Sequence, residues 1–371
     1  MPKNVFVLWY YLDCCWRLRK CGKLKRKMYM RIYLFLIQIA IVTGFFFSCQ
    51  SKNVVYDEPS FPKEKSVTAH LLTDTALISY PYGMCVDDRN IYILSLMEDQ
   101  WVQAYDKQTG AFVGSGVKRG QGPGEVVVGI SFSFDQEEGL FHVFDQSQMK
   151  LLSYRFDQDK QTFVFVKDKS FSGDKKVVRK AWPLRDGAYL IDGQLGQDTT
   201  GLRRFQIYFG ADVSAGYNCF PVSDADKYPA FTMASVSLSP DKQKLAVGTL
   251  FGGILEQFRL DGGIEPSSVR YFYPIEAEFS GGVLRPTGET VYGFSSLYAT
   301  DQLLYGVLVG GKDPNQFNTI CTFDWKGQEV AKYQADCLVF ALGSCVTEPG
   351  RLYAIAFSQE KGFYLVYFDL K

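Results

Sequence analysis

The hydrophobic residues of this chain alternate with polar residues over short stretches that are separated by turn-forming residues. In residues 236–248, VSLSPDKQKLAVG, Val236 and Leu238 alternate with serines, and the alternation resumes at Leu245 and Val247. A period of two predicts strands with one buried face. The intervening Ser-Pro-Asp predicts a turn, because proline presets φ and aspartate bonds its own backbone. We therefore expect an antiparallel hairpin here.

The same hairpin pattern occurs six times along the chain, at intervals of roughly 50 residues, which is near the period of propeller blades. One hairpin cannot bury its own apolar face, so such units must stack on one another. We therefore expect an all-β fold, a six-bladed β-propeller in which four-stranded units form a ring. The six hairpins span residues 83–95, 131–145, 181–193, 236–248, 282–295 and 345–358, and the fifth is expected to turn at residues 286–288.

The sixth unit has one strand fewer than the others. Its pattern predicts three strands, at residues 338–346, 352–357 and 363–368. Residues 67–72, which precede the first unit, also have strand character. We expect Val67–Leu72 to be the outer strand of the sixth blade, so that an N-terminal strand closes the ring and covers an exposed sheet edge.

The first 48 residues are predicted to be an upstream extension followed by a signal peptide. Arg31 precedes the apolar run 32–47, which is too short for a comfortable membrane span. Ser48-Cys49 after this run resembles a bacterial lipobox, and that resemblance implies lipidation of Cys49. An uncleaved N-terminal anchor is the alternative. The candidate start residues are Met1, Met28 and Met30.

Charge and composition support a division of the chain into three parts. Residues 49–65 are polar, contain Pro59 and Pro62, and are expected to be a lipidated tether before a propeller domain at 66–371. The chain has 40 basic and 40 acidic residues, but residues 1–48 hold nine basic and one acidic residue. The remainder is therefore acidic by about eight charges, which argues against a nucleic-acid partner, since nucleic acid needs a basic footprint.

The aromatic residues and cysteines leave alternatives open. The 30 Phe and 23 Tyr suit strand packing, and sugar stacking is a second interpretation. Five cysteines follow Cys49, and this odd count excludes a complete disulfide framework among them. We interpret most of them as small buried hydrophobic residues, and we keep a bridge between Cys337 and Cys345 as an alternative.

Residues 119–125, RGQGPGE, are the sharpest local motif. They lack the helix pattern of a dinucleotide-binding fingerprint and the Gly-Lys-Ser/Thr ending of a P-loop. In one interpretation they form a tight connection between blades, with an ion pair between Arg119 and Glu125. In the other they bind a ligand at the mouth of the pore, through exposed backbone amides and side chains. The candidate ligand-binding residues are Arg119, Gly120, Gln121, Gly122, Gly124 and Glu125.

The GQGPGE loop, placed after a lipobox and before repeated strand pairs, resembles the TolB-like six-bladed propeller lipoproteins of Gram-negative envelopes. The resemblance covers residues 49–371. It implies a ring fold and a lipid-anchored protein of the cell envelope, held at the outer membrane on its periplasmic or surface side. Most members of that family have no established activity, so the resemblance does not assign the loop a role.

Other candidate chemistry is sparse in this sequence. His142 lies on one face of a predicted strand, where a satisfied interior histidine is favoured over a ligand. The two histidines of the chain, His70 and His142, are too few for a histidine-rich metal site. A basic cluster between the second and third blades is interpreted as a solvated loop face, with contact to anionic glycan or lipid as the alternative. Its members are Lys175, Lys176, Arg179 and Lys180.

Aspartates recur at the predicted blade turns, where turn chemistry explains them better than acid catalysis. No catalytic residue, metal ligand or cofactor is predicted, although a calcium site made of such carboxylates remains an alternative. The turn aspartates are Asp87, Asp88, Asp135, Asp186 and Asp241.

Two functions are compatible with these features. The favoured one is a non-catalytic, membrane-tethered scaffold, monomeric, that presents a propeller face to an envelope protein or a glycan. The alternative is a propeller enzyme acting on carbohydrate, as a lyase, a hydrolase or a metal-dependent lactonase. The enzyme requires carboxylates, Asn or His that converge in the central channel, and the sequence shows no such cluster at a recognisable spacing.

Overall fold

The computed structural model describes residues 54–171, 177–194, 204–210, 212–280 and 283–370. The predicted signal peptide, Cys49, Lys175 and Lys176 lie outside these residues. The described strands form six four-stranded blades, one added strand beside the fifth blade, and a separate two-stranded hairpin. The structure therefore confirms the all-β, six-bladed propeller.

Two N-terminal strands precede the first blade, β1 (Glu64–Val67) and β2 (His70–Thr73). Blade one contains β3 (Gly83–Val86), β4 (Asn90–Met97), β5 (Gln100–Asp106) and β6 (Phe112–Lys118). Blade two contains β7 (Gly129–Asp135), β8 (Leu140–Asp145), β9 (Lys150–Asp157) and β10 (Thr162–Ser170). Blade three contains β11 (Val177–Pro183), β12 (Ala188–Gln194), β13 (Phe205–Phe209) and β14 (Asp212–Tyr217).

Blade four contains β15 (Ser235–Leu238), β16 (Lys244–Gly248), β17 (Ile254–Arg259) and β18 (Glu265–Tyr271). The separate hairpin is β19 (Ala277–Ser280) and β20 (Val283–Pro286). Blade five contains β21 (Tyr292–Ala299), β22 (Leu303–Gly311), β23 (Thr319–Asp324) and β24 (Glu329–Ala335). Blade six contains β25 (Leu338–Gly343), β26 (Arg351–Ser358) and β27 (Gly362–Asp369). Short helices occur at Arg185–Gly187, Ala225–Lys227 and Pro229–Thr232.

The predicted inner hairpins of blades one to four are present as antiparallel pairs. The turns of blades one, two and four are stabilised by aspartates that the sequence singled out. The Asp87 carboxylate accepts hydrogen bonds from two backbone N–H groups of its own turn, at 2.8 and 2.7 Å. Asp135 and Asp241 accept from N–H groups two residues on, both at 3.0 Å. Turn chemistry thus explains these three residues.

The predicted hairpin of blade five is wrong. Val283–Pro286 pairs with Ala277–Ser280 outside the ring, and the inner strand of blade five is Tyr292–Ala299. The side chain of Leu284 is buried there with Phe231 and Phe251, so this hairpin has its own apolar contacts. The true turn lies at Thr300, whose hydroxyl accepts a 2.9 Å hydrogen bond from the N–H of Leu303.

The predicted strand Val67–Leu72 is divided between two blades. Glu64–Val67 pairs in parallel with the outer strand β24 of blade five, and His70–Thr73 pairs antiparallel with β27 of blade six. The N–H of Ala69 donates a 2.8 Å hydrogen bond to the Asp336 carboxylate between the two strands. The sheet order of blade six is therefore β2-β27-β26-β25.

The apolar core lies between the blades, as six clusters that each join two neighbouring blades. Between blades one and two, the rings of Tyr92 and Phe141 are 4.3 Å apart. Between blades six and one, Tyr353 and Ile355 share a cluster with Met84. Blade six thus packs on blade one, and the remaining clusters join the blades between them.

The five described cysteines are free, so the alternative bridge between Cys337 and Cys345 is not formed. The Cys345 thiol instead lies 3.1 Å from the Asp88 carboxylate, at the contact of blades six and one. Burial raises the pKa of the Cys337 thiol to about 11 and that of the Cys321 thiol to about 12. These thiols are therefore protonated at neutral pH, as expected of small apolar core residues.

Candidate functional site

The innermost strands of all six blades line a central cavity of about 400 Å³. Each inner strand has a hydrogen-bonded neighbour on one side only, because it is the last strand of its sheet. Its other edge faces the ring axis, where backbone N–H and C=O groups need partners. The cavity is therefore polar by construction, and its volume is within the range of small-molecule sites.

Serines of blade four satisfy part of this strand edge. The Ser235 hydroxyl accepts a 2.9 Å hydrogen bond from the N–H of Leu297, and the Ser237 hydroxyl accepts one of 2.9 Å from the N–H of Ala299. Both donors belong to the inner strand of blade five. The alternating serines that identified the first hairpin thus join two inner strands around the channel.

An ion pair connects two blades that are not neighbours. The Lys242 ammonium, from the turn of blade four, donates a 2.5 Å hydrogen bond to the carboxylate of Asp135 in blade two. Their side chains are 11% and 3% exposed. Burial alone would raise the pKa of Asp135, but the hydrogen bond and charge of Lys242 hold it below its ordinary value. Lys242 has a φ of 58°, a left-handed conformation that directs the chain through this turn.

His142 lies next to this ion pair and is only half satisfied. It is 3% exposed, and its Nδ1 lies 2.9 Å from the Ser153 hydroxyl. Its Nε2 is buried without a hydrogen-bond partner. Burial lowers the pKa of His142 to about 4, against a smaller opposing effect of Asp135. His142 is interior as predicted, but the prediction that it is satisfied is wrong for Nε2. The free Nε2 is unusual, since buried polar atoms are nearly always paired.

The interpretation of the basic cluster as a solvated loop face is wrong for Arg179 and Lys180. Arg179 and Lys180 lie in β11, the inner strand of blade three, and not on a solvated loop. Arg179 forms an ion pair with Asp192, whereas Lys180 lines the central cavity. Burial lowers the pKa of Lys180. Within the described part of the chain, no residue forms a hydrogen bond or ion pair with its ammonium group.

A second cavity of about 510 Å³ adjoins the first. His142 and Lys242 line both cavities, so they lie at the boundary between them. Several of the charges around the second cavity are paired, as in the 2.9 Å ion pair of Lys167 with Glu138 and the 3.4 Å pair of Lys150 with Asp168.

Aromatic residues next to the inner strands of blades one and six lie at the end of the channel where the inner strands begin. Tyr80 is 60% exposed, and its ring lies 5.7 Å from that of Tyr82 and 5.3 Å from that of Phe340. Tyr82 and Phe340 also line the cavity, as does Met233, which is 50% exposed. We refer to Tyr80, Tyr82, Met233 and Phe340 as the aromatic mouth. It joins an exposed apolar surface to the polar channel.

The RGQGPGE loop connects blade one to blade two. The N–H of Gly122 donates a 2.8 Å hydrogen bond to the Glu125 carboxylate, and Gly124 has a φ of 71°. The predicted ion pair between Arg119 and Glu125 is absent, because the Glu125 carboxylate folds back on its own loop. A side chain at Gly124 would also come within 2.6 Å of the Phe165 ring.

The side chains of Arg119 and Gln121 are exposed, and the loop contributes none of the residues that line the described central cavity. Ligand binding by this loop therefore remains a prediction.

Among the residues that the structure describes, no three His, Cys, Asp or Glu side chains come together as a metal site. No helix in the same residues has the length and apolar character to cross a membrane.

Lys180, Lys242 and the aromatic mouth were missed as site residues from the sequence. The one available signal was the position of Lys180 in the strand-like segment VVRKAWP, where alternation with apolar residues argues against a loop.

No curated protein sequence matches this chain. Similar solved structures include a protein from Bacteroides fragilis NCTC 9343, with 15% identity, a TM-score of 0.49 and coverage of 84% of this chain and 98% of that one. A luciferin-regenerating enzyme is 11% identical, with a TM-score of 0.49 and coverage of 82% and 95%. A gluconolactonase from Xanthomonas campestris is 12% identical, with a TM-score of 0.48 and coverage of 87% and 100%.

A sequence profile of one family matches most of the chain. It is the profile described as TolB-like 6-blade propeller-like, and it covers residues 60–348. This match agrees with the six blades of the structure and with the resemblance seen in the sequence. The chain therefore belongs to the TolB-like six-bladed propeller family.

Proposed function

We propose that this protein is a lipid-anchored scaffold of the cell envelope that binds an envelope protein or a glycan through the aromatic mouth. The observation that carries the proposal is the exposure of Tyr80 and Tyr82, at 60% and 48%, in contact with each other beside the channel. Tyrosine is enriched at the centres of interfaces. Contiguous exposed apolar surface marks interaction sites.

The neighbourhood of the two tyrosines supports a preformed surface. The Tyr80 ring also contacts Phe363, and the Tyr82 ring contacts Trp101, at centroid distances of 6.3 and 6.1 Å. Edge-on contacts of this kind hold the rings in place before a partner arrives, which lowers the entropic cost of binding. A tyrosine face of fixed geometry suits a protein surface or the apolar face of a sugar ring.

A comparison of tyrosine variants tests this role. The full chain, tagged at its C-terminus, is cross-linked in envelopes and purified from detergent, and co-purifying proteins and glycans are identified. The double change Tyr80→Ser and Tyr82→Ser is expected to remove the partner. Phe112→Ser is the matched control, because Phe112 is 61% exposed on the outer strand of blade one. Equal recovery with both variants would reject the mouth as the binding face. Turnover of a carbohydrate by the wild type would support the enzyme alternative.

The anchor is a separate part of the proposal and rests on the lipobox-like Ser48-Cys49. Cys49→Ser is expected to abolish incorporation of radiolabelled palmitate and to release the protein from the membrane fraction. If Cys49→Ser stays in the membrane unlabelled, residues 32–47 are an uncleaved anchor instead. We infer that the protein is a monomer and that it is located at the outer membrane, on the periplasmic or the surface side.

We also propose that strand β2 closes the ring. Its pairing with β27, in which His70 lies opposite Tyr367, supports this role. The strand covers the outer edge of blade six, which would otherwise be free to pair with another chain.

A further inference from the structure

We propose that the central cavity binds a small hydroxylated monocarboxylate, with the Lys180 ammonium as the group that pairs with the carboxylate. This inference does not rest on the scaffold role, because it concerns Lys180 and His142 inside the cavity, whereas the scaffold role concerns the exposed rings at its mouth. It starts from two side chains that line one cavity. The Nε2 of His142 is buried without a hydrogen-bond partner, and within the described part of the chain the Lys180 ammonium forms no hydrogen bond or ion pair.

The charges that line the described cavity add up to one uncompensated positive charge. Lys242 and Asp135 neutralise each other at 2.5 Å, and His142 is neutral at neutral pH because burial lowers its pKa. Lys180 is the remaining charged residue of the lining. Asp192, which lies opposite Lys180 in the register of blade three, is already bonded to Arg179.

Lys180 is half-buried in the cavity, where an ammonium group without a counter-charge is less favourable than in bulk water, and a ligand carboxylate offsets that cost. A single negative charge matches the single positive charge of the cavity. A phosphate dianion would leave one charge uncompensated in the channel, and a neutral sugar would leave Lys180 unpaired. The charge balance therefore favours a monocarboxylate over both.

The hydroxyl groups of the ligand have partners available in the same cavity. His142 lies opposite Ser133 in the register of blade two, and Ser131 lies on the same inner strand as Ser133. In the tautomer in which Nδ1 accepts from the Ser153 hydroxyl, the Nε2–H of His142 is an unused donor. About 400 Å³ accommodates a molecule of monosaccharide size, and the aromatic mouth offers a route of entry.

Calorimetric titration of the full-length protein in detergent tests this assignment. D-galacturonate is the probe, and D-galactose is its neutral counterpart. We expect galacturonate to bind at low ionic strength, and galactose to bind at least tenfold more weakly. Lys180→Met is expected to weaken galacturonate binding at least tenfold. Lys326→Met is the control, because it removes an exposed lysine outside the cavity.

Several results would overturn the inference. These are the absence of galacturonate binding to the wild type, equal affinity for galactose, unchanged affinity in Lys180→Met, or tighter binding of galactose 6-phosphate. Protection of Lys180 from acylation, followed by peptide mass spectrometry on the wild type, gives a measurement that does not depend on the folding of a variant. Galacturonate is expected to slow acylation of Lys180 and to leave Lys326 unaffected, and equal rates would reject the site. Loss of a macromolecular partner in the Tyr80 and Tyr82 variant has no bearing on these results.

Discussion

Arg204 and Glu256 form a buried ion pair between two blades. Two hydrogen bonds of 2.9 and 2.5 Å join the guanidinium to the carboxylate, and the side chains are 3% and 1% exposed. The guanidinium also lies 4.7 Å from the centre of the Phe231 ring and 5.0 Å from that of Phe220. Arg204 belongs to blade three and Glu256 to blade four, so the pair acts between blades.

Glu256→Gln is expected to destabilise the protein by about 3–5 kcal/mol, because it leaves the charge of Arg204 buried without compensation. The free energy of unfolding is measured by urea denaturation. Glu265→Gln provides the control, since it breaks an exposed ion pair with Arg259 whose side chains are 65% and 61% exposed. That change is expected to cost less than about 1 kcal/mol. Similar losses for the two variants would contradict the assigned role of Glu256.

His142 makes stability depend on pH. Its pKa is about 4 in the folded protein, below the ordinary 6.5, so the unfolded chain takes up the proton first as the pH falls. This residue therefore lowers the free energy of unfolding between about pH 6.5 and pH 4, by up to about 3 kcal/mol. At pH 7 the effect is absent.

The difference between the wild type and His142→Gln isolates this contribution from the carboxylates, which titrate in both proteins. Denaturation at pH 7 and at pH 4.5 is expected to show that the wild type loses more stability than the variant on acidification. His70→Gln is the control for loss of a histidine at an exposed position. A pH-independent difference between wild type and His142→Gln would disprove the explanation.

At the scale of single elements, the hairpins of blades one to four could be predicted because their turns are local. Asp87, Asp135 and Asp241 bond N–H groups two or three residues away, and such bonds need no tertiary context. Local turn chemistry predicted the wrong hairpin at residues 286–288, where Pro-Thr-Gly is an acceptable turn sequence. Strand β21 pairs with β22 and not with β20, and this choice depends on the burial of Leu284 outside the ring.

The residues that line the channel could not be predicted either, because their proximity also depends on tertiary structure. Lys180, His142 and Lys242 come from three blades and are separated by up to 100 positions in the chain. They meet only because the blades surround one axis. Strand alternation indicates which residues point inward toward a core, but it does not indicate which inner-strand residues share a cavity.

Strand β2 allows an element-scale test with a neighbouring control residue. Leu72 is partly buried in the cluster between blades six and one, whereas the adjacent Leu71 is 51% exposed. Leu72→Asp is expected to cost about 2 kcal/mol of unfolding free energy, because it places a charge against apolar side chains. Leu71→Asp is expected to have little effect. Equal effects in urea denaturation would show that β2 is not held against blade six.

At the scale of the whole molecule, the ring is held by two kinds of contact. Apolar clusters join neighbouring blades, including blade six to blade one. The ion pair of Lys242 with Asp135 crosses from blade four to blade two and bypasses blade three. Because it bypasses a blade, this pair constrains the geometry of the ring and not only one interface.

Lys242→Met is therefore expected to loosen both blades that it joins. It leaves the Asp135 carboxylate 3% exposed without its cation, at an expected cost of about 3–5 kcal/mol at pH 7. The double change Lys242→Met and Asp135→Asn removes both charges and is expected to recover most of that loss. Hydrogen exchange, followed by mass spectrometry, should accelerate in β7 and β15 of the single variant. Lys160→Met, at a side chain 73% exposed, is the control. If the double variant is as unstable as the single one, the unpaired buried charge is not the cause of the loss. The contribution of Lys242 would then come from the packing of its aliphatic stem.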